Sequence, residues 1–176
     1  MTDVVDLEKA RREASIRRGF RNWKSRFHEE FDGHTRARDL SDDTLIFLAR
    51  ASEEAAFYLY DLIMNVLHLG SGFEIRELSP ADRMAVMDRY LFILDRVRFD
   101  VMRRLGWLDR YPGEDLPLVD DVTEYDRVAP GLQARLPDLS PNHRDYGTFC
   151  RVSPFEKEAV VRKLIPKALE DFTPHP

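Results

Sequence analysis

Between Lys9 and Arg26 the chain carries eight basic side chains and one acid, Glu13, with Phe20 and Trp23 set among them. Positive charge at that density on a helix can follow a phosphate backbone or lie on an anionic membrane surface. At helical spacing Phe20, Trp23, Phe27 and Phe31 recur along one face and Arg17, Arg21, Lys24 and His28 along the opposite side. The basic surface candidates are Arg17, Arg18, Arg21 and Lys24. No groove-reading motif accompanies them. A helix whose aromatic face is core and whose basic face is solvated or paired internally would look the same. Arginine outnumbers lysine 22 to 5, a bias that a GC-rich genome produces unaided, so each arginine cluster carries less weight.

Two groups have metal-ligand residue types. His28, Glu29, Glu30, Asp32 and His34 crowd one helix end, and Asp61, Asn65 and His68 share one helix face. A di-iron bundle requires Glu-x-x-His pairs on facing helices, and the chain has none. Zinc requires three or four converging nitrogen or sulfur ligands, and one cysteine with five scattered histidines is a poor set. No metal and no cofactor is expected.

Cys150 stands near His143, Arg144, Asp145 and Tyr146. A thiolate nucleophile needs a base within hydrogen-bond reach and a third group to orient it. His143, Asp145 and Cys150 supply the types; a lone cysteine is otherwise a small buried hydrophobe. These five residues are the pocket candidates, and none is assigned a catalytic role. The chain contains no G-x-S-x-G, no H-E-x-x-H and no glycine-rich phosphate loop.

Phe92 and Phe99 lie in the polar stripe of a long helix, among Asp88, Arg89, Asp95, Arg96 and Arg103, while Arg98 sits in its apolar stripe between Leu94 and Val101. Apolar rings on a polar face mark either a second helix-packing surface within the chain or a surface for a partner or second copy. Phe92, Phe99 and Arg96 are the interface candidates.

These groups must be positioned by helices, and the chain reads as all-α. Ser79-Pro80 opens and Gly106 closes a central helix over 80–105, apolar on two faces and so placed in the middle of a bundle. The other helices are expected over 3–31, with a possible break at Gly19, over 42–69, and over 154–172, kinked or divided at Pro166. Helices 42–69 and 80–105 are joined by the short link 70–78 and should pair antiparallel, with Leu91 and Leu94 between them. From 107 to 153 the periodicity stops, and five prolines punctuate a strap across the bundle. Short turns are expected near 120–127 and 130–136, with Leu116, Leu118, Val119, Tyr125, Val128, Leu132 and Leu136 facing the core. A chain of 176 residues with 43% hydrophobic content suits one helical domain spanning 1–176.

The net charge of −5 excludes a wholly basic nucleic-acid binder. The N-terminus lacks a signal-peptide apolar stretch, the single cysteine suits a reducing cytoplasm, and charges interrupt the most apolar segment, Leu45 to Leu69, which rules against a membrane span. The reading is a cytoplasmic, non-catalytic interaction or regulatory protein acting as a homodimer or with a helical protein partner. An enzyme with a pocket under the 107–153 segment is the first alternative, and nucleic-acid binding through the basic helix 9–26 the second. Residues 109–126 hold seven acids and one arginine, so the strap is expected to lie against that basic helix and neutralise it.

Overall fold

The computed structural model describes residues 2–109, 115–133 and 137–175. Every regular element among them is helical, and the single β feature is an isolated bridge between Leu108 and Leu139. Helix α1, Thr2–Phe27, passes through Gly19 without a break. Glycine there allows close approach: a Cβ would stand 3.1 Å from Leu62 Cδ1 and 3.4 Å from the Leu62 carbonyl oxygen. The helix ends at Phe27, not at Phe31. His28 takes φ 55° and donates its N–H to the Lys24 carbonyl at 3.0 Å. The chain then folds Phe31 back onto α1, stacked on Phe20 at 5.5 Å and edge-on to Trp23 at 5.4 Å.

The helix expected over 42–69 is two helices, α2 (Asp42–Ala49) and α3 (Glu53–Val66). Ala51 takes a left-handed φ of 53°, and Ser52 restarts the helix by accepting the Ala55 N–H at 3.1 Å. Arg98 Nε donates to the Ala49 carbonyl at 2.9 Å, which satisfies an acceptor left open at the end of α2. That bond accounts for an arginine in an apolar stripe. Helix α4 spans Pro80–Arg104, with Ser79 accepting the Asp82 N–H at 3.2 Å. Helices α3 and α4 end alike. Leu69 N–H reaches the Met64 carbonyl at 2.8 Å and Trp107 N–H the Met102 carbonyl at 2.9 Å, across His68 (φ 58°) and Gly106 (φ 77°) in the left-handed C′ position.

Helix α4 is a wall shared by two cores. Val86, Ile93, Val97 and Val101 pack with Phe20 and Trp23 of α1, Leu45 and Leu48 of α2, and Leu59, Leu62 and Ile63 of α3. Phe99 and Met102 pack with Leu108, Leu139, Phe149, Val161, Leu164, Ile165 and Ala168. Two apolar faces on one helix thus serve two clusters. Because 42–69 is broken, α4 lies against α2 and α3 in succession. Leu94 is 5% exposed, but Leu91 is 55% exposed and takes no part in that packing.

The proline-rich segment holds α5 (Leu118–Thr123), α6 (Tyr125–Gln133) and α7 (Tyr146–Arg151). The last was not expected; YGTFCR is too short for periodicity to show. Leu118, Val119 and Val128 are buried, and Leu116 and Tyr125 half-buried. Leu136 and the Leu132 side chain lie outside the described residues, as does the 110–114 part of the acidic stretch. The stretch 154–172 is divided at Leu164 into α8 (Pro154–Lys163) and α9 (Ile165–Asp171). Pro166 sits in the first turn of α9, where its missing N–H breaks no helical bond.

Leu94→Ala should destabilise the fold by about 2–5 kcal/mol, as truncation of a buried leucine does. Leu91→Ala should change it by no more than about 0.5 kcal/mol. Urea unfolding of both variants checks the pair, and equal losses would contradict this placement of α4.

Candidate functional site: the cationic helix and its groove

The site is shaped by where the acidic segment finds its partners. Arg96, 5% exposed, donates from Nη1 to Asp121 Oδ1 at 2.8 Å and from Nη2 to Asp115 Oδ1 at 3.0 Å. Asp115 Oδ2 also meets Arg38 Nε at 2.8 Å. Arg89 Nε donates to the Val122 carbonyl at 2.8 Å, and Leu118 N–H to the Thr35 carbonyl at 2.8 Å. Helix α5 is therefore fastened to α4 and to the 35–38 turn. Only one of its acids reaches the basic helix: Asp120 pairs with Arg12 at 2.7 Å. Asp121 is fully buried, and its Oδ2 has no hydrogen-bond partner. Burial pushes its carboxyl up to about 7 against the pull of Arg96, with Asp115 and Asp120 adding to the rise.

Among the described residues the expected neutralisation of α1 by the acidic segment is one pair. Lys24 meets Glu30 at 3.0 Å, and Arg26 meets Glu54 at 3.3 Å while lying over the Phe47 ring. Arg11, Arg17, Arg18 and Arg21 are exposed, and among the described residues none of them forms an ion pair. Helical phase separates the candidates into two sets. Arg18 and Arg21 share the outward face with Arg11, Ala14 and Ser25. Arg17 and Lys24 turn toward a groove of about 500 Å³ between α1 and the 31–34 loop, with Ile16 and Phe31 in its lining and Asp120 of α5 on its far side.

The interface candidates are covered within the chain, which corrects the sequence reading. Phe99 is 2% exposed in the second core, with the Arg162 guanidinium over its ring. Phe92 is half-buried and meets Tyr125 edge-on at 5.5 Å. Arg96 is the buried partner of Asp121. The signal was in the sequence: an arginine between two phenylalanines on one stripe matches an acidic, apolar segment, LPLVDDV, elsewhere in the chain.

The pocket candidates are brought together only in part. His143 packs edge-on against Trp107 at 5.1 Å, and its Nδ1 accepts the Asp145 backbone N–H at 3.1 Å. His143 and Arg144 line a second cavity of about 430 Å³ with Trp107, Lys167 and Asp171. Cys150 is exposed, and its neighbour is Tyr146, whose hydroxyl it holds above the ordinary tyrosine range. No hydrogen bond joins His143 to Cys150.

The metal-type residues are occupied or apart. Asp61 accepts from Asn22 at 2.9 Å, from Asn65 at 3.2 Å and from the Gly72 N–H at 2.9 Å. Glu29 accepts from the hydroxyls of Ser41 and Thr44, and His28, His34 and His68 are exposed. Among the described residues no three His, Cys, Asp or Glu side chains gather as a metal site would require, and no helix is long and apolar enough to cross a membrane.

No family model, curated protein or solved structure matches the chain, so its function is argued from this geometry.

The buried pair has a pH signature. Asp121 binds its proton more tightly folded, at about 7, than at the ordinary 3.8. Its contribution is therefore most favourable below about 4 and is lost as pH rises through 7. Relative to Asp121→Asn, the wild type should lose stability between pH 5 and pH 8. Arg96→Met should cost about 3–5 kcal/mol at pH 8, where it strands a buried carboxylate, and less at pH 5. Denaturant melts at the two pH values decide this; parallel pH profiles for wild type and Asp121→Asn would refute it.

Proposed function

We propose that the protein is a binding module whose working surface is the outward face of α1, and that its partner is the phosphate backbone of a nucleic acid. One observation carries this reading. Among the described residues the acidic segment makes its pairs with Arg96, Arg38, Arg89, Arg127 and, on α1, Arg12, and Arg11, Arg18 and Arg21 are exposed without ion pairs. These three span ten residues of helix, about 15 Å, with Ala14 and Ser25 as the small side chains beside them. A lipid surface fits less well. An interfacial helix buries its apolar face in the bilayer, and that face of α1 already holds Ile16, Phe20 and Trp23 in the core. The overall charge of −5 opposes binding only weakly, because charges farther off than about 10 Å are largely screened at 0.1 M salt.

Labelled duplex DNA or RNA titrated with the intact chain at about 50 mM salt should bind in the micromolar range. With about three phosphates neutralised, the slope of log K against log salt should be near −3. Arg11→Glu/Arg18→Glu/Arg21→Glu should abolish binding without unfolding the chain. Absence of binding by the intact protein, or a triple variant that binds equally, would refute the proposal.

A second reading concerns self-association. Met84 and Leu91, 67% and 55% exposed, lie seven residues apart on one face of α4, an apolar surface in a place other than Phe92 and Phe99. If a homodimer forms, this is the face we propose for it. Sedimentation equilibrium should then show a micromolar dimer that Met84→Glu/Leu91→Glu dissociates; a monomeric wild type, or a double variant that remains dimeric, overturns it.

A further inference from the structure

We propose that the nucleic acid taken by α1 is single-stranded and that one of its bases stacks on Phe73, an inference that rests on the proposed function and narrows its partner. Phe73 is 78% exposed, and its ring lies 4.6 Å from that of Phe57 on α3. The 3₁₀ turn that carries it, Gly72–Glu77, is fixed from within and from below. The Ser71 N–H donates to Glu74 Oε2 at 3.0 Å, and the Glu74 N–H to the Ser71 carbonyl at 3.0 Å. The Gly72 N–H donates to Asp61 Oδ1 at 2.9 Å. Only glycine permits that approach, because a Cβ would stand 2.9 Å from the Asp61 backbone nitrogen. An aromatic ring presented on a fixed turn loses little freedom when a ligand covers it.

Asp61 also ties this turn to α1. Its Oδ2 accepts from Asn22 Nδ2 at 2.9 Å, so the residue before Phe73 and Asn22 of α1 share one carboxylate. Arg18 stands one helical turn before Asn22 and Arg26 one turn after it, with Arg11 farther along the same strip. Arg26 is paired with Glu54. Arg11, Arg18 and the adjoining Arg21 are exposed and, among the described residues, form no ion pair. The exposed ring therefore adjoins the cationic ridge.

Around the ring itself the charge has the other sign. Glu74 and Glu77 lie on its turn, Glu53 and Glu54 open α3 one turn before Phe57, and Asp61 lies beneath. Against them stand Arg26, Arg76 and Arg83, the last donating to the Arg76 carbonyl at 2.9 Å. Paired or hydrogen-bonded, these carboxylates keep their charge, so the acids are in excess and phosphate is not drawn to Phe73. A cationic ligand is opposed by Arg18 and Arg21. A nucleotide meets both conditions, with its phosphate on the ridge and its uncharged base on the ring. A duplex keeps its bases stacked on one another, whereas a single strand offers them. The ridge runs about 15 Å from Arg11 to Arg21, a length that suits a strand over a free mononucleotide.

The test titrates the full chain at about 50 mM salt with an oligothymidylate of about eight nucleotides, the same strand without bases, and a duplex. Phe73→Ala should weaken thymidylate binding about fivefold or more, the smallest effect of losing one base–aromatic stack, and should leave the duplex and the abasic strand unchanged. Phe73→Trp should keep the affinity of the wild type, and thymidylate should quench the added indole fluorescence. Arg18→Glu/Arg21→Glu should weaken all three ligands. If Phe73→Ala binds thymidylate as the wild type does, or the abasic strand binds as tightly as thymidylate, base stacking is overturned while phosphate binding by α1 stands. If none of the three ligands binds, both readings fall. A dimer of the free protein that Phe73→Ala dissociates would assign the ring to a second copy and overturn the proposal.

Discussion

The structure turns on the pairing of Arg96 with Asp121 and Asp115. Taking a guanidinium and a carboxylate out of water costs several kcal/mol per ion, and the cost is recovered only where each finds a partner at hydrogen-bond distance. Arg96 finds two, and Asp115 passes the connection on to Arg38. The bonds hold α5 on α4 in one register, with Leu118, Val119 and Val122 sealing the larger core. Once Asp115 and Asp121 are committed there, they cannot neutralise α1. The charge state of the exposed helix is thus set by a buried pair on another element.

Helix α1 is a single amphipathic segment divided between a buried aromatic face and an exposed cationic one. Its aromatic side is anchored by the Trp23 Nε1–H bond to the Tyr58 carbonyl at 2.8 Å and by the stacked and edge-on contacts of Phe20, Trp23, Phe27 and Phe31. Gly19 lets α3 approach closely enough for those rings to be covered. The remaining surface belongs to arginines and lysines, and it falls into two strips of different shape. One is convex and faces solvent, and the other forms the wall of a groove. A convex cationic ridge suits an extended polyanion.

Much of the fold was legible because the signals are local. Ser79-Pro80 and Gly106 each act through bonds to residues three to five positions away, and both appear at the expected helix ends. The helix ends that were missed, at His28 and Ala51, involve non-glycine residues at positive φ. Such conformations are unfavourable in isolation, and surrounding structure must hold them. At Ala51 that structure includes Arg98, whose bond to Ala49 crosses from another helix.

The helical periodicity of α4, read from sequence alone, placed Phe92, Arg96 and Phe99 on one stripe and gave the helix two apolar faces. It also placed eight cations on α1 and an opposing acidic run beyond residue 109. What sequence could not decide was which surfaces remain open, because coverage depends on where a chain interrupted by prolines returns. Tertiary structure brought α5, α6 and α8 over the Phe92–Phe99 stripe, left Leu91 and Met84 outside, and sent Asp115 and Asp121 to Arg96 while Asp120 went to Arg12 of α1. The physical reason is that periodicity is a property of one helix, whereas burial and charge pairing are properties of two segments far apart in the chain.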